Sequence, residues 1–203
     1  MTFIKICGAR DVDFAIAAAE AGADYLGLNF VKTSRRMVDH SQAKNIVNAV
    51  NQYPITCVGV FMNQSSSEIE EICELTGIRH VQLYGERPSL SSEFNKLLVI
   101  SVNDQGILLD DIECVKTQCR PNRDAIILDD ENPGFGHTYP IETLAEQTKG
   151  IPFILAGGIT TANVQQRLAQ TGAVGVDVAS AVDSIERCRE FISTVRKYQH
   201  ANI

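Results

Sequence analysis

Short apolar runs rich in β-branched residues recur about every 25 residues along this 203-residue chain. They are FIKI (3–6), DYLGLNF (24–30), ITCVGVF (55–61), RHVQL (79–83), LLVIS (97–101), DAIIL (124–128), PFILA (152–156) and AVGVDV (173–178). Unbroken runs of this length suit strands covered on both faces, as in a parallel sheet. Helix-like stretches lie between them. DVDFAIAAAEAGA (11–23) has an Asp cap, an alanine-rich face and a closing Gly22. SQAKNIVNAV (41–50), SSEIEEICELTG (66–77), TANVQQRLAQTG (161–172) and SIERCREFISTVRKY (184–198) follow the same logic. The segments after the fourth, fifth and sixth runs are shorter and carry weaker helical patterns. Eight such units predict a single-domain (βα)8 TIM barrel over residues 1–203, a parallel eight-stranded barrel with outer helices. The rival that the same pattern allows is an open doubly wound sheet. No Pro/Ser-rich linker, low-complexity tract or charge block divides the chain.

Composition narrows the function. Hydrophobic residues make up 44% and charged residues 21% of the chain, so a sizeable core can be buried. A net charge of -7 argues against a nucleic-acid or anionic-membrane surface. No apolar run approaches the roughly 20 residues of a membrane span, and MTFIKICGAR lacks the long apolar stretch of a signal peptide. The six cysteines are scattered, with no CxxC pair or metal-ligand spacing. The expectation is a cytoplasmic protein with reduced thiols and no bound metal.

Active sites of such barrels are built at the C-terminal ends of the strands. Those ends carry Cys7, Asn29, Asn63, Gln82, Ser101, Asp129, the pair Gly157 and Gly158, and the stretch from Asp177 to Ser180. Polar or reactive residues at nearly every end favour an enzyme. LAGGI (155–159), followed by two threonines and a helix, suits a phosphate cradle of backbone N–H groups at a helix N-terminus. VDVASAVD (176–183) offers Ser180 and Ala181 to close it; a pair of tight turns is the plainer reading. Cys7 and Asp129 should face each other across the mouth. A thiolate serves as a general base if positive charge or amide dipoles lower its pKa. A carboxylic acid serves as the proton donor if burial raises its pKa. Gln82 is counted with the substrate-binding residues. In KTSRRMV (32–38), one of Arg35 and Arg36 can lean over the mouth and bind a carboxylate in a forked geometry.

KICG (5–8), AGAD–LG (21–27), SRR–V (34–38), VGVF–N (58–63), VQLYGE (81–86), LD (128–129), LAGGI–NV (155–164) and VDVAS (176–180) together resemble the phosphoribosylanthranilate isomerase family. The resemblance runs in order over nearly the whole chain. It implies a (βα)8 barrel without metal or organic cofactor, acting in tryptophan synthesis. The implied reaction is an Amadori rearrangement of N-(5-phosphoribosyl)anthranilate to the open-chain ketose. By resemblance Cys7 is the general base, Asp129 the general acid, and Arg36 the ligand of the anthranilate carboxylate. The phosphate would lie on the backbone of Gly157, Gly158, Ser180 and Ala181.

Several positions depart from the family pattern. Tyr84 replaces the usual histidine of the strand-4 motif. PGFGHTYP (133–140) is a shortened form of a glycine-rich loop, with His137 for its lysine. Ala179 and Ala181 interrupt the usual Ser-Ser-Gly, Lys32 replaces a proline, and Ala9-Arg10-Asp11 replaces a threonine-rich turn. Two other readings therefore stand beside the first. One is a barrel isomerase of a different N-linked phosphosugar; the other is a non-catalytic phosphate-ligand module, which would need neither Cys7 nor Asp129. The expected partner is a phosphorylated small molecule, with the protein itself a monomer or homodimer.

Overall fold

The computed structural model describes residues 2–201. Eight strands, β1 (Phe3–Cys7), β2 (Tyr25–Asn29), β3 (Thr56–Met62), β4 (His80–Tyr84), β5 (Asn95–Val102), β6 (Ala125–Asp130), β7 (Ile154–Leu155) and β8 (Gly175–Val178), follow one another around a closed barrel. Every neighbouring pair is parallel, and β1 closes the ring against β8 with Lys5 opposite Asp177. The open-sheet alternative is thereby excluded.

Among the described residues, seven helices cover the outside: α1 (Val12–Glu20), α2 (His40–Val50), α3 (Ser66–Thr76), α4 (Ile112–Thr117), α5 (Leu144–Thr148), α6 (Val164–Thr171) and α7 (Ile185–Ala201). Their starts follow the sequence closely. The Asp11 carboxylate accepts the Phe14 N–H, and Asp39 with Gln42 and Ser65 with Glu68 form capping boxes. The weak segments behave as their composition dictates. Residues 85–94, with Pro88 and three serines, cross from β4 to β5 without a helix, while α4 and α5 are only 6 and 5 residues long.

Strand alternation divides the apolar residues between two cores. Ile4, Ile6, Leu26, Leu28, Val81, Leu83 and Leu128 face outward and pack beneath the helices. Val58, Leu97, Val99, Ile127, Ile154 and Ala156 fill the barrel interior. One charged pair shares that interior. Lys5 is 0% exposed, and its Nζ lies 2.9 and 3.1 Å from the two carboxylate oxygens of Asp177. A buried ion pair is held by mutual compensation, so removing one partner strands the other charge. Asp177→Asn should therefore cost about 3–5 kcal/mol of stability, read as a lower urea midpoint at unchanged slope. The double variant Lys5→Met with Asp177→Leu should recover most of that loss. An Asp177→Asn midpoint equal to wild type would show that the pair carries no such constraint.

Candidate active site

The C-terminal ends of the strands open into a cavity of about 490 Å³. Cys7 ends β1, and Asp129 lies near the end of β6; both line the cavity. Lys5 precedes Cys7 by two residues and so shares its interior face. A methyl group added at Gly27 of β2 would come within 2.8 Å of Cys7 Sγ and 2.9 Å of Lys5 Nζ. The thiol and the ammonium thus gather over a position that only glycine leaves free.

Burial pushes the Cys7 thiol up to about 11. The neighbouring Lys5 ammonium pulls against that shift, while the carboxylates of Asp177 and Asp129 add to it. Burial also raises Asp129, to about 7, and Asp177 pushes in the same direction. Two hydrogen bonds to the Asp129 carboxylate oppose the rise. Asp130 N–H donates to Oδ1 at 2.8 Å, and the Tyr84 hydroxyl donates to Oδ2 at 2.6 Å. Behind Tyr84, the fully buried Gln82 donates from Nε2 to its hydroxyl at 3.0 Å. With a single proton between sulfur and carboxyl, the proton rests on sulfur.

Three loops frame this centre. Arg36 is half-buried, packs over Gly8 and reaches the Gly134 carbonyl with Nη1 at 3.5 Å. Gly157 and Gly158 follow β7 with φ of +77° and +59°, in the left-handed region that favours glycine. A side chain on Gly158 would strike Thr138 and the His137 carbonyl of the loop 131–139. A Cβ on Gly136 of that loop would lie 3.0 Å from Ser180 Oγ. The loop therefore spans the mouth from Arg36 to the glycine pair and Ser180. Its far end is anchored by Tyr139, whose hydroxyl donates to Ala156 O at 2.8 Å and whose carbonyl accepts from the buried Arg167 at 2.7 Å.

The family described as N-(5'phosphoribosyl)anthranilate (PRA) isomerase matches residues 4–185 of this sequence. The chain belongs to this family. An N-(5'-phosphoribosyl)anthranilate isomerase from Chlamydia felis is 33% identical over 192 residues, covering 92% of this chain and 90% of that protein. One from Neisseria gonorrhoeae is 34% identical over 185 residues, covering 89% and 86%. The crystal structure of phosphoribosyl anthranilate isomerase from Thermus thermophilus has a TM-score of 0.84 at 26% identity, covering 97% of this chain and 99% of that one.

Within this isomerase-family barrel, Cys7, Asp129, Arg36, Gly157, Gly158 and Ser180 all line one cavity. Two of the expected residues, Gln82 and Ala181, are not among that lining. Gln82 does not reach the cavity, because alternation points it into the sealed barrel interior, where it touches Tyr84 instead. Ala181, next to Ser180, packs its side chain on the outer core, while Ala179 and Ser180 line the cavity. Burial holds the Cys7 thiol above its ordinary value, against the pull of the single adjacent cation. Sequence reasoning also gave no role to Lys5, Tyr84 or Asp177. Lys5 carries a readable signal: a lysine inside a strand buried on both faces must find a charged partner. Among the described residues no group of three or more His, Cys, Asp or Glu is placed to hold a metal ion, and no helix is long and apolar enough to cross a membrane.

The thiolate fraction of a thiol with a pKa of about 11 grows tenfold per pH unit below that value. Iodoacetamide labelling of Cys7, read by peptide mass spectrometry, should be slow at pH 7 and accelerate about tenfold per unit to roughly pH 10. A rate that levels off below pH 8 would show an acidic thiol instead.

Proposed function

We propose that this chain is an isomerase converting N-(5-phosphoribosyl)anthranilate to 1-(2-carboxyphenylamino)-1-deoxyribulose 5-phosphate in L-tryptophan biosynthesis. The observation that carries the reading is a thiol and a buried carboxyl lining one cavity, in a chain of this family. The glycine pair and Ser180 supply a site for the phosphate, and Arg36 supplies one for the anthranilate carboxylate.

Asp129 donates its proton to the furanose ring oxygen. The C1–O bond breaks, and the nitrogen lone pair forms a protonated imine at C1. That cation favours the thiolate form of the nearby Cys7. Cys7 then takes the proton from C2, and those electrons neutralise the imine to give an enolamine, which tautomerises to the ketone. The loop 131–139 covers the mouth and limits the access of water to the imine.

The productive form needs the proton on Asp129 and the charge on Cys7. Burial raises both groups and leaves the thiol the weaker acid of the two, so only a minor fraction of the free enzyme holds that form. The remainder of the reading concerns the whole protein. The chain acts as one barrel domain over 1–203, as a monomer or homodimer, without cofactor. The six free thiols support a cytoplasmic setting.

Loss of the base or the acid should cut turnover by roughly 10²–10⁴-fold. Cys7→Ser and Asp129→Asn should do so with KM and thermal midpoint little changed, and neither should restore growth to a tryptophan auxotroph lacking this isomerase. Wild type should restore it; near-normal turnover by Cys7→Ser would remove the general base from the scheme.

The pH profile follows from the same proton count. Below about 7 both groups hold protons and no base remains, so kcat/KM should fall about tenfold per pH unit on that side. From about 7 to 9 a single proton is shared by the pair, and kcat/KM should stay level. A profile that declines through pH 7 to 9 would contradict the assignment of the two groups.

A further inference from the structure

Tyr84 stands where the sequence departs from its family, and the departure reaches the acid itself. Oδ1 of Asp129 is committed to the N–H of Asp130 on its own strand, at 2.8 Å. That bond fixes one end of the carboxyl and leaves Oδ2 free of the backbone. The Tyr84 hydroxyl touches that oxygen, at 2.6 Å. Gln82 Nε2 occupies the acceptor side of the same hydroxyl at 3.0 Å, which leaves the tyrosine hydrogen directed at Asp129.

Gln82 supplies an independent observation. It is fully buried, and its Oε1 is without a hydrogen-bond partner. An unpartnered amide oxygen in the interior is costly, and an apolar side chain there would avoid that cost. The one polar contact the amide makes is the bond that orients Tyr84.

The geometry points to Tyr84 as the positioning residue for the acid: its hydroxyl, steadied by Gln82, holds Asp129 Oδ2 and directs the acid proton towards the cavity. With one lone pair of Oδ2 occupied by Tyr84, a proton on that oxygen takes the remaining direction. The inference rests on the proposed role of Asp129 as the acid. Other titratable groups also face this carboxyl: Asp177 of β8, Cys7 of β1 with Lys5 behind it, the adjacent Asp130, and Tyr139 of the loop 131–139. Among the described side chains, Tyr84 alone donates a hydrogen bond to it.

A donor to the carboxylate favours the charged form, so removing it raises the carboxyl midpoint. The carboxyl midpoint of Asp129 is measurable by ¹³C NMR on protein carrying labelled aspartate, with Asp129→Asn identifying the signal. In Tyr84→Phe that midpoint should rise by about one pH unit or more. The pH at which kcat/KM begins to fall on the acid side should rise with it. Incorporating 3,5-difluorotyrosine at position 84 makes the hydroxyl a stronger donor at nearly the same shape, and should move both values down. This second arm stands even if Tyr84→Phe fails to fold. An unmoved NMR midpoint in the folded variants overturns the positioning role and leaves Asp129 as the acid. A midpoint that moves while the kcat/KM limb does not overturns Asp129 as the acid, and the role of Tyr84 with it.

Discussion

The buried pair of Lys5 and Asp177 sits where the barrel closes, between the first strand and the last. A lysine that is 0% exposed needs its counter-charge, and only one register of β8 against β1 puts that charge opposite. A slip by one residue would turn Lys5 into the apolar layer beneath the helices, at the expense of an unpaired charge in hydrocarbon. The same alternation that keeps Lys5 inside keeps Cys7 inside, one step nearer the mouth. The pair that fixes closure thereby delivers the thiol, and sets the strongest positive charge in the interior beside it.

That placement decides the electrostatics of the mouth. Burial pulls the Lys5 ammonium towards the neutral form, but Asp177 first and Cys7 second outweigh it and the ammonium persists. Its charge is shared between a carboxylate and a thiol, so it lowers the thiol only partly. The resting centre is therefore a protonated sulfur facing a carboxyl poised near neutrality. In the proposed reaction the missing positive charge comes from the substrate, as the imine forms between the two groups. Such a site stays unreactive towards solvent and becomes basic only when the ring has opened.

The periphery shows how a shortened loop can still cover the mouth. Two contacts bring the loop 131–139 down: Arg36 at the Gly134 carbonyl, and the absence of a side chain at Gly158 beneath Thr138 and His137. The Arg167–Tyr139 contact holds its trailing end to α6. Phe135, 69% exposed and stacked on His137 with ring centres 6.0 Å apart, forms the tip. The proposed carboxylate ligand and the proposed phosphate cradle are thus bridged by one segment.

Local patterns in the sequence were enough for the barrel. Eight apolar runs at even spacing, with Asp, Ser and Gly at the helix ends, leave few ways to bury both faces of each strand, and all eight strands lie where the runs do. They were enough, too, to bring Cys7, Asp129 and the glycine pair to one cavity, because these residues stand at the C-terminal ends of buried strands. The sequence also named Gln82 and Ala181, and only the tertiary structure shows the Gln82 side chain fully buried and the Ala181 side chain packed on the outer core. Which side of a strand end faces the mouth depends on barrel tilt and stagger, and neither is written in a local pattern. Tyr84 was visible only as an odd residue in a familiar motif; its contact with Asp129 joins positions 45 residues apart. The thiol's acidity was legible in neither residue nor motif. It depends on how much water the closed barrel removes and on three charges from β1, β6 and β8, which only folding brings together.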